Sequence, residues 1–400
     1  MPAGNNPAQT DSEGDPRLTI LQVVPRLDLG GVERGTVEIA EAIVAAGGRA
    51  LVASEGGQLA HRIERAGGEL VEMNAATKNP LNIWQNAGVL ERLIRAEGVD
   101  LVHARSRAPA WSAKWAARRT GTPFVTTYHG TYSEGFPLKR SYNGVMAAGR
   151  PVIAISDFIR ELIIARHRVP PGEIITIPRG ADTDTFSEDV VSGGRTARLA
   201  EAWGLLDDAR PIVMLPGRLT RWKGAETLIE AAALSVTSPG RKTRSLTPVS
   251  SIRRSRRPAK PDPPSLPTMR QRKSPPRRSR NRAAASISVS ASLEPEAFGR
   301  VAVEAQAMGR PVVATDHGGA RETVAHGETG FLYPPGDAAA LAQAIDTILT
   351  LDPSAKAHMR MWNNQHLPGN MSVLVSAPVT GLRTVEDVRE VSEQRFGSAA

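Results

Sequence analysis

The chain predicts an α/β protein made of two Rossmann-like, doubly wound domains, the second of them interrupted by a basic disordered segment. Three observations carry this. Short apolar, β-branched runs alternate with amphipathic stretches through residues 17–180. The same alternation restarts at residue 211 and continues to about 350. Between the two halves of that second stretch, residues 235–283 lose all periodicity. Strands that are apolar nearly throughout are those buried on both faces of a parallel sheet, and the helices between them supply the crossovers.

Taken in order, the first strand is predicted at 18–24 (LTILQVV). Gly30 and Gly31 then make a tight turn into a helix over 32–46, where Val37, Ala40, Ile43 and Val44 share one face. Further strands follow at 50–54, 69–73, 99–103, 123–128, 151–155 and 174–178, with helices at 82–97 and 110–119. The second half opens with a strand at 211–215 (PIVML), a glycine-flanked loop and a helix over 225–234. It resumes with strands at 286–290, 311–315 and 330–333 and helices over 299–309 and 337–349. The expected organisation is a disordered tail over 1–16, an N-terminal Rossmann-like domain over 17–190 and a C-terminal Rossmann-like domain over 191–357, interrupted at 235–283. A divergent tail over 358–400 completes it, with a short polar helix near 383–394.

Charge is unevenly spread. Residues 235–283 hold 15 Lys or Arg against one acid, Asp262, so the net charge of +9 is the difference between +14 here and −5 elsewhere. The segment has nine prolines and no aromatic residue, a composition that cannot bury enough apolar surface to offset the entropy of ordering. The chain has no cysteine, which excludes disulfides, thiol nucleophiles and cysteine-ligated metals and fits a reducing compartment. Residues 1–16 lack the basic and apolar regions of a signal peptide, and no apolar run approaches the length of a membrane span. A cytoplasmic location is expected. Arg92, Arg95, Lys114, Arg118, Arg119, Lys139 and Arg140 fit either solvated helix faces or a peripheral contact with anionic lipid at the inner membrane face.

Four motifs carry chemistry. In EPEAFGRVAVE (294–304), Glu296 and Glu304 stand eight apart, so a helix through the segment would bring both carboxylates near one face, with free amides at its start for an anion. In GRLTRWKG (217–224), Arg218 and Lys223 set two cations beside a glycine-flanked loop, which suits a diphosphate. His129, in TTYHG, follows a strand end and could donate to a sugar hydroxyl or steady transition-state charge. Asp182 and Asp184 form a DxD that reads more simply as turn chemistry than as a metal site. Each motif alone has an ordinary alternative: a solvated acidic helix, a basic turn, a structural histidine.

In sequence order these pieces resemble the retaining nucleotide-sugar glycosyltransferases of family 4, whose two-Rossmann architecture is called GT-B. The resemblance covers roughly 17–234 and 286–350, and includes IPRGADTDTF (177–186) and the run GRPVVATDHGGARETVAHGETGFLYPPGD (309–337). It implies that Arg218 and Lys223 hold the donor diphosphate, and that Glu304 binds the nucleotide ribose. Glu296, with the backbone at Phe298 and Gly299, would contact the donor sugar. Gly30 and Gly31 would approach the phosphates and the acceptor, and His129 would lie near the transferred sugar. It further implies front-face attack with retention, no metal, no cofactor and a glycan or lipid-linked acceptor.

The chain departs from the pattern in three places, one of them being that the family's closing helix is not recognisable after about residue 358. Arg179 stands where relatives usually carry Asn, and the basic text at 235–283 replaces two βα units. Such loss and recovery of pattern is what frame-shifted reading of a GC-rich gene, or gene decay, would produce. The rival readings are a nucleic-acid-binding protein using 235–283 as a phosphate-binding arm, a GT-B enzyme of another class such as an epimerase or phosphorylase, and an inactive relic.

Overall fold

The computed structural model describes residues 18–28, 30–135, 137–183, 185–187, 190–203, 211–236, 244–246, 286–356 and 359. These form two compact units. One holds the residues up to Ile153 together with Arg166–Ile175; the other holds Ala154–Ala165 together with the chain from Thr176.

The first sheet contains β1 (Thr19–Val23), β2 (Arg49–Ser54), β3 (Glu69–Glu72), β4 (Leu101–Ala104), β5 (Phe124–Tyr128), β6 (Val152–Ala154) and β7 (Ile174–Thr176), in the order β3-β2-β1-β4-β5-β6-β7. The ladders joining β3, β2, β1, β4 and β5 are parallel. Strand order reverses at β1 and β4, so the loops after those strands splay apart at the carboxyl edge. Helices α1 (Gly31–Ala45) and α2 (Ala60–Arg65) cover one face, burying Val37, Ala40, Ile43 and Ile63 on Val24, Ala50 and Val52. Helices α3 (Pro80–Ala96) and α4 (Arg107–Thr120) pack as a pair, burying Ile83, Leu90 and Ile94 with the alanines of α4. Pro80 at the first turn and the Asn79 side chain, which accepts from Leu81 N at 2.9 Å, fix where α3 begins. Helices α5 (Pro137–Asn143) and α6 (Asp157–His167) follow β5 and β6.

The second sheet contains β8 (Ile212–Met214), β9 (Arg244–Leu246), β10 (Ile287–Ser290), β11 (Val312–Thr315) and β12 (Gly330–Tyr333), in the order β12-β11-β10-β8-β9, with every ladder parallel. Helix α7 (Gly193–Ala202) precedes it. Helices α8 (Ala225–Val236) and α11 (Ala338–Thr350) lay Leu228, Ala231, Leu341, Ile345 and Ile348 on one face, against Val213, Val289 and Val313. On the other face α9 (Arg300–Ala307) and α10 (Ala320–Thr323) close over Val312 and Ala314.

The two-sheet architecture matches the expectation, and each predicted strand has a counterpart within a few residues. One expectation is corrected. Residues 244–246, inside the stretch read as disordered, form β9 and pair in parallel with β8. Edge pairing needs backbone amides and carbonyls, not apolar side chains, so composition hides it. Apart from the end of α8 and β9, the rest of 235–283 lies outside the described residues, as do 1–16, Asp184 and the proposed helix at 383–394. Among the described residues no helix is long and apolar enough to cross a membrane.

Candidate functional site

At the carboxyl edge of the second sheet, the loop after β8 passes through a single 3-10 turn, Arg221–Lys223, and ends at Gly224 with φ +67°. A side chain at 224 would overlap the Ala291 carbonyl, so only glycine lets this turn meet the loop after β10. Leu293 N donates to Trp222 O at 2.7 Å and joins the two loops. On that junction Lys223 Nζ donates to Glu296 Oε1 at 2.6 Å, with the side chains 17% and 14% exposed. Ser292 Oγ and Ser290 Oγ donate to the same carboxylate oxygen. The Lys223 ammonium also lies 4.2 Å from the Trp222 ring centroid. Burial opposes ionisation of Glu296, but the Lys223 charge and the hydrogen bonds from Lys223, Ser292 and Ser290 outweigh it and hold the carboxyl below its usual range.

Gly299, with φ +86° and ψ +49°, turns the chain into α9. The expectation that one helix carries both carboxylates is therefore corrected: Glu296 lies in the loop ahead of α9 and Glu304 lies within the helix. The left-handed turn at Gly299 breaks helical continuity between them. Phe298 is 4% exposed and Glu304 2%. Glu304 Oε1 lies 3.4 Å from Arg300 Nε one turn back. The Arg218 side chain is exposed.

The loop after β11 closes against the same junction. Gly319 N donates to Glu296 O at 2.8 Å, and His317 Nε2 donates to Ser292 O at 2.9 Å. Sequence reasoning gave His317 no role, although it follows a strand and precedes glycine as His129 does. Thr220 Oγ1, His317 Nδ1 and Tyr333 Oη are buried side-chain atoms with no hydrogen-bond partner among the described residues. All three lie in segments at this carboxyl edge, after β8, after β11 and at the end of β12. Further along, Glu322 accepts from Asp157 N and Phe158 N at 2.9 and 2.8 Å. Burial raises its carboxyl despite those two amides.

In the first unit, Gly30 caps the start of α1 in extended backbone and Gly31 is its first residue. His129 directly follows β5, its amide 3.4 Å from Tyr132 Oη. Two further residues at this edge escaped the sequence reading. Arg105, just past β4, is 2% exposed, and its amide donates to Val23 O at the end of β1. Arg107 lies 4.4 Å from the Tyr132 ring centroid and donates to Asn143 Oδ1. His103 is buried on Thr127 Oγ1 at 2.7 Å; desolvation and the Arg105 charge hold its imidazole well below the usual value. The signal was present in ARSR directly after VDLVH, since a cation at a strand's carboxyl end has few neutral reasons to be buried.

The lone motifs resolve into local structure. Asp182 accepts from Thr185 N and Thr185 Oγ1, at 3.0 and 2.6 Å, and so closes a turn. Arg179 is 5% exposed. Arg95 and Arg119 both approach Glu91, at 3.3 and 3.5 Å. Among the described residues no group of three His, Asp or Glu gathers as metal ligands.

Comparison with known proteins gives the geometry a context. Residues 29–185 match a family model described as Glycosyltransferase Family 4, and residues 210–351 match one described as Glycosyl transferases group 1. The D-inositol 3-phosphate glycosyltransferase of Streptomyces avermitilis is 30% identical over 285 residues, covering 65% of this chain and 60% of that protein. The GDP-mannose-dependent alpha-(1-6)-phosphatidylinositol monomannoside mannosyltransferase of Mycolicibacterium smegmatis is 29% identical over 294 residues, 68% of this chain and 73% of that one. This chain thus spans less than two thirds of the Streptomyces protein's length. Among solved structures, a glycosyltransferase from Rickettsia africae ESF-5 superposes with TM-score 0.74 at 29% identity, over 96% of this chain and all of that one. Anabaena HepE, solved with UDP-glucose, superposes with TM-score 0.67 at 21% identity over 95% and 99% of the two chains, a likeness of fold.

Proposed function

From the premise that this chain belongs to glycosyltransferase family 4, we propose that it moves a sugar from a nucleotide-sugar donor to a glycan or lipid-linked acceptor with retention of configuration. The observation that carries the proposal is the Lys223–Glu296 pair on the seam between the loops after β8 and β10. It couples a cation suited to a diphosphate with a carboxylate suited to sugar hydroxyls.

In the proposed reaction Lys223 exchanges its carboxylate for the donor diphosphate, and the exposed Arg218 adds a second, forked set of donors. Glu304 takes the ribose, and Glu296 with the backbone at Phe298 and Gly299 takes the sugar. In the first unit, Gly30, Gly31 and His129 are the candidate substrate contacts. The acceptor hydroxyl attacks the anomeric carbon on the face the diphosphate leaves, its proton passing to the departing phosphate oxygen. The new C–O bond forms as the old one breaks, and no enzyme nucleophile is used. Rate enhancement then comes from alignment and from charge stabilisation of the leaving group. The names of the Streptomyces and Mycolicibacterium relatives support a polyol or lipid-linked acceptor. Exposed Leu81 and Trp84 on α3 and Leu138 on α5 are compatible with peripheral contact at a lipid surface.

Calorimetric titration of the chain with UDP, GDP and ADP tests the proposal. One nucleotide should saturate the protein, and Lys223→Ala and Glu304→Ala should each weaken it by about tenfold or more, the equivalent of a lost charged hydrogen bond. Absence of binding by a folded chain would mean descent from the family without its donor site.

A further inference from the structure

His317 supplies an acceptor that nothing in the described protein uses. Ser292 O is a carbonyl and can only accept, so the hydrogen on this imidazole resides on Nε2, 2.9 Å away. In the neutral ring Nδ1 is then a lone-pair acceptor, and it is buried without a partner among the described residues. A buried acceptor left unmatched costs free energy that a bound hydroxyl would recover.

The position of the ring narrows what that hydroxyl belongs to. Ser292 holds His317 through its carbonyl and donates to Glu296 through its hydroxyl. The next loop residue but one, Gly319, donates its amide to Glu296 O. His317, in the loop after β11, is therefore hydrogen-bonded to the loop after β10 that carries the carboxylate proposed to grip the donor sugar, and that carboxylate accepts from Lys223. Asp316, next in the chain, is turned into an ion pair with Arg321 at 2.7 Å.

We propose that His317 is a donor-specificity residue, whose Nδ1 accepts a hydrogen bond from a hydroxyl of the nucleotide-bound sugar. This rests on the reading of the second unit as a nucleotide-sugar site and adds which side chain distinguishes sugar from bare nucleotide. The assignment has a consequence for selectivity. A buried site built to receive a hydroxyl rejects an analogue lacking it far more strongly than an apolar pocket rejects an extra methylene.

Two substitutions separate the ring's two roles. His317→Gln keeps a donor at the Nε2 position for Ser292 and removes the acceptor at Nδ1; His317→Asn keeps a polar atom at the Nδ1 position and gives up the Ser292 anchor. Calorimetry is run on the full chain and both variants with UDP, UDP-glucose, GDP and GDP-mannose, after circular dichroism has established that each is folded. The expected result is that His317→Gln leaves affinity for the preferred free diphosphate unchanged and weakens its sugar nucleotide about tenfold, one hydrogen bond's worth, while His317→Asn weakens the sugar nucleotide less. Equal weakening of diphosphate and sugar nucleotide by His317→Gln would make the residue a structural strut and overturn the proposal, as would no change in either. If the unaltered chain binds a diphosphate in a Lys223-dependent way, such a result defeats the His317 assignment alone. If it binds no nucleotide, both readings fall together.

Discussion

Lys223 and Glu296 show how one contact can set both stability and reactivity at the residue scale. Each side chain is largely withdrawn from water, and neither charge would be tolerated there without the other. Removing the cation leaves a buried carboxylate supported only by Ser290 and Ser292, so Lys223→Met should cost about 3 kcal/mol near neutral pH. The sign of the pH dependence follows from the direction of the Glu296 shift. Its carboxyl is held below the ordinary 4.5 in the folded chain, so its contribution is fully present above that value and fades as pH falls through the lower folded value. Urea titrations should therefore show the gap between the parent chain and Lys223→Met narrowing as pH falls, as Glu296 becomes protonated first in the variant, where burial is no longer offset by Lys223, and then in the parent chain. A gap that stays constant with pH would mean that the pair is not ionised in the folded state.

At the scale of elements, two glycines with the same backbone conformation make different demands. Gly224 ends the turn after β8 at φ +67° with the Ala291 carbonyl pressed against it, whereas Gly299 opens α9 at φ +86° with Thr323 Oγ1 as its nearest obstacle at 3.6 Å. Alanine at 299 meets only the left-handed penalty, about 1–2 kcal/mol. Alanine at 224 must also force apart two loops joined by the Leu293–Trp222 hydrogen bond. Gly224→Ala should therefore lose more stability than Gly299→Ala in denaturant unfolding, and should weaken diphosphate binding as well. Equal losses would show that the loops after β8 and β10 separate freely. The helices that sequence reasoning passed over, α2, α5, α6, α7 and α10, are short or bury few residues. In α2 and α6 the buried residues are Ile63, and Ile159 with Ile163, too few to establish a period.

On the scale of the whole molecule, the segment at 235–283 dominates the net charge. Residues 250–280 alone contain eleven Lys or Arg and one acid, so excising them takes the chain from +9 to −1. The intact chain should retain nonspecific, salt-sensitive affinity for DNA through counterion release, and the excised chain should lose it. The excised chain should still bind nucleoside diphosphate, because β8, β9 and β10 lie outside the cut and the nine residues remaining between β9 and β10 can span about 30 Å. Gel shift and calorimetry on the same two proteins check both halves. Loss of diphosphate binding with loss of DNA binding would make the basic segment part of the donor site.

The sequence by itself determined the two parallel sheets, the order of their strands along the chain, and the motifs at strand ends. Apolar runs and helical periods are local properties, written within ten or so residues. Resemblance to the family, not local pattern, grouped Glu296, Lys223, Gly299 and Glu304 as an expected site. The tertiary structure decided what no local pattern encodes: that Glu296 stands outside the helix, that Lys223 holds it across 73 residues of sequence, that β9 forms within a proline-rich stretch, and that Arg105 and the Nδ1 atom of His317 lie buried at two sheet edges. Each of these depends on which loops a parallel sheet brings side by side. That adjacency comes from strand order across the sheet, which permutes the order of the chain.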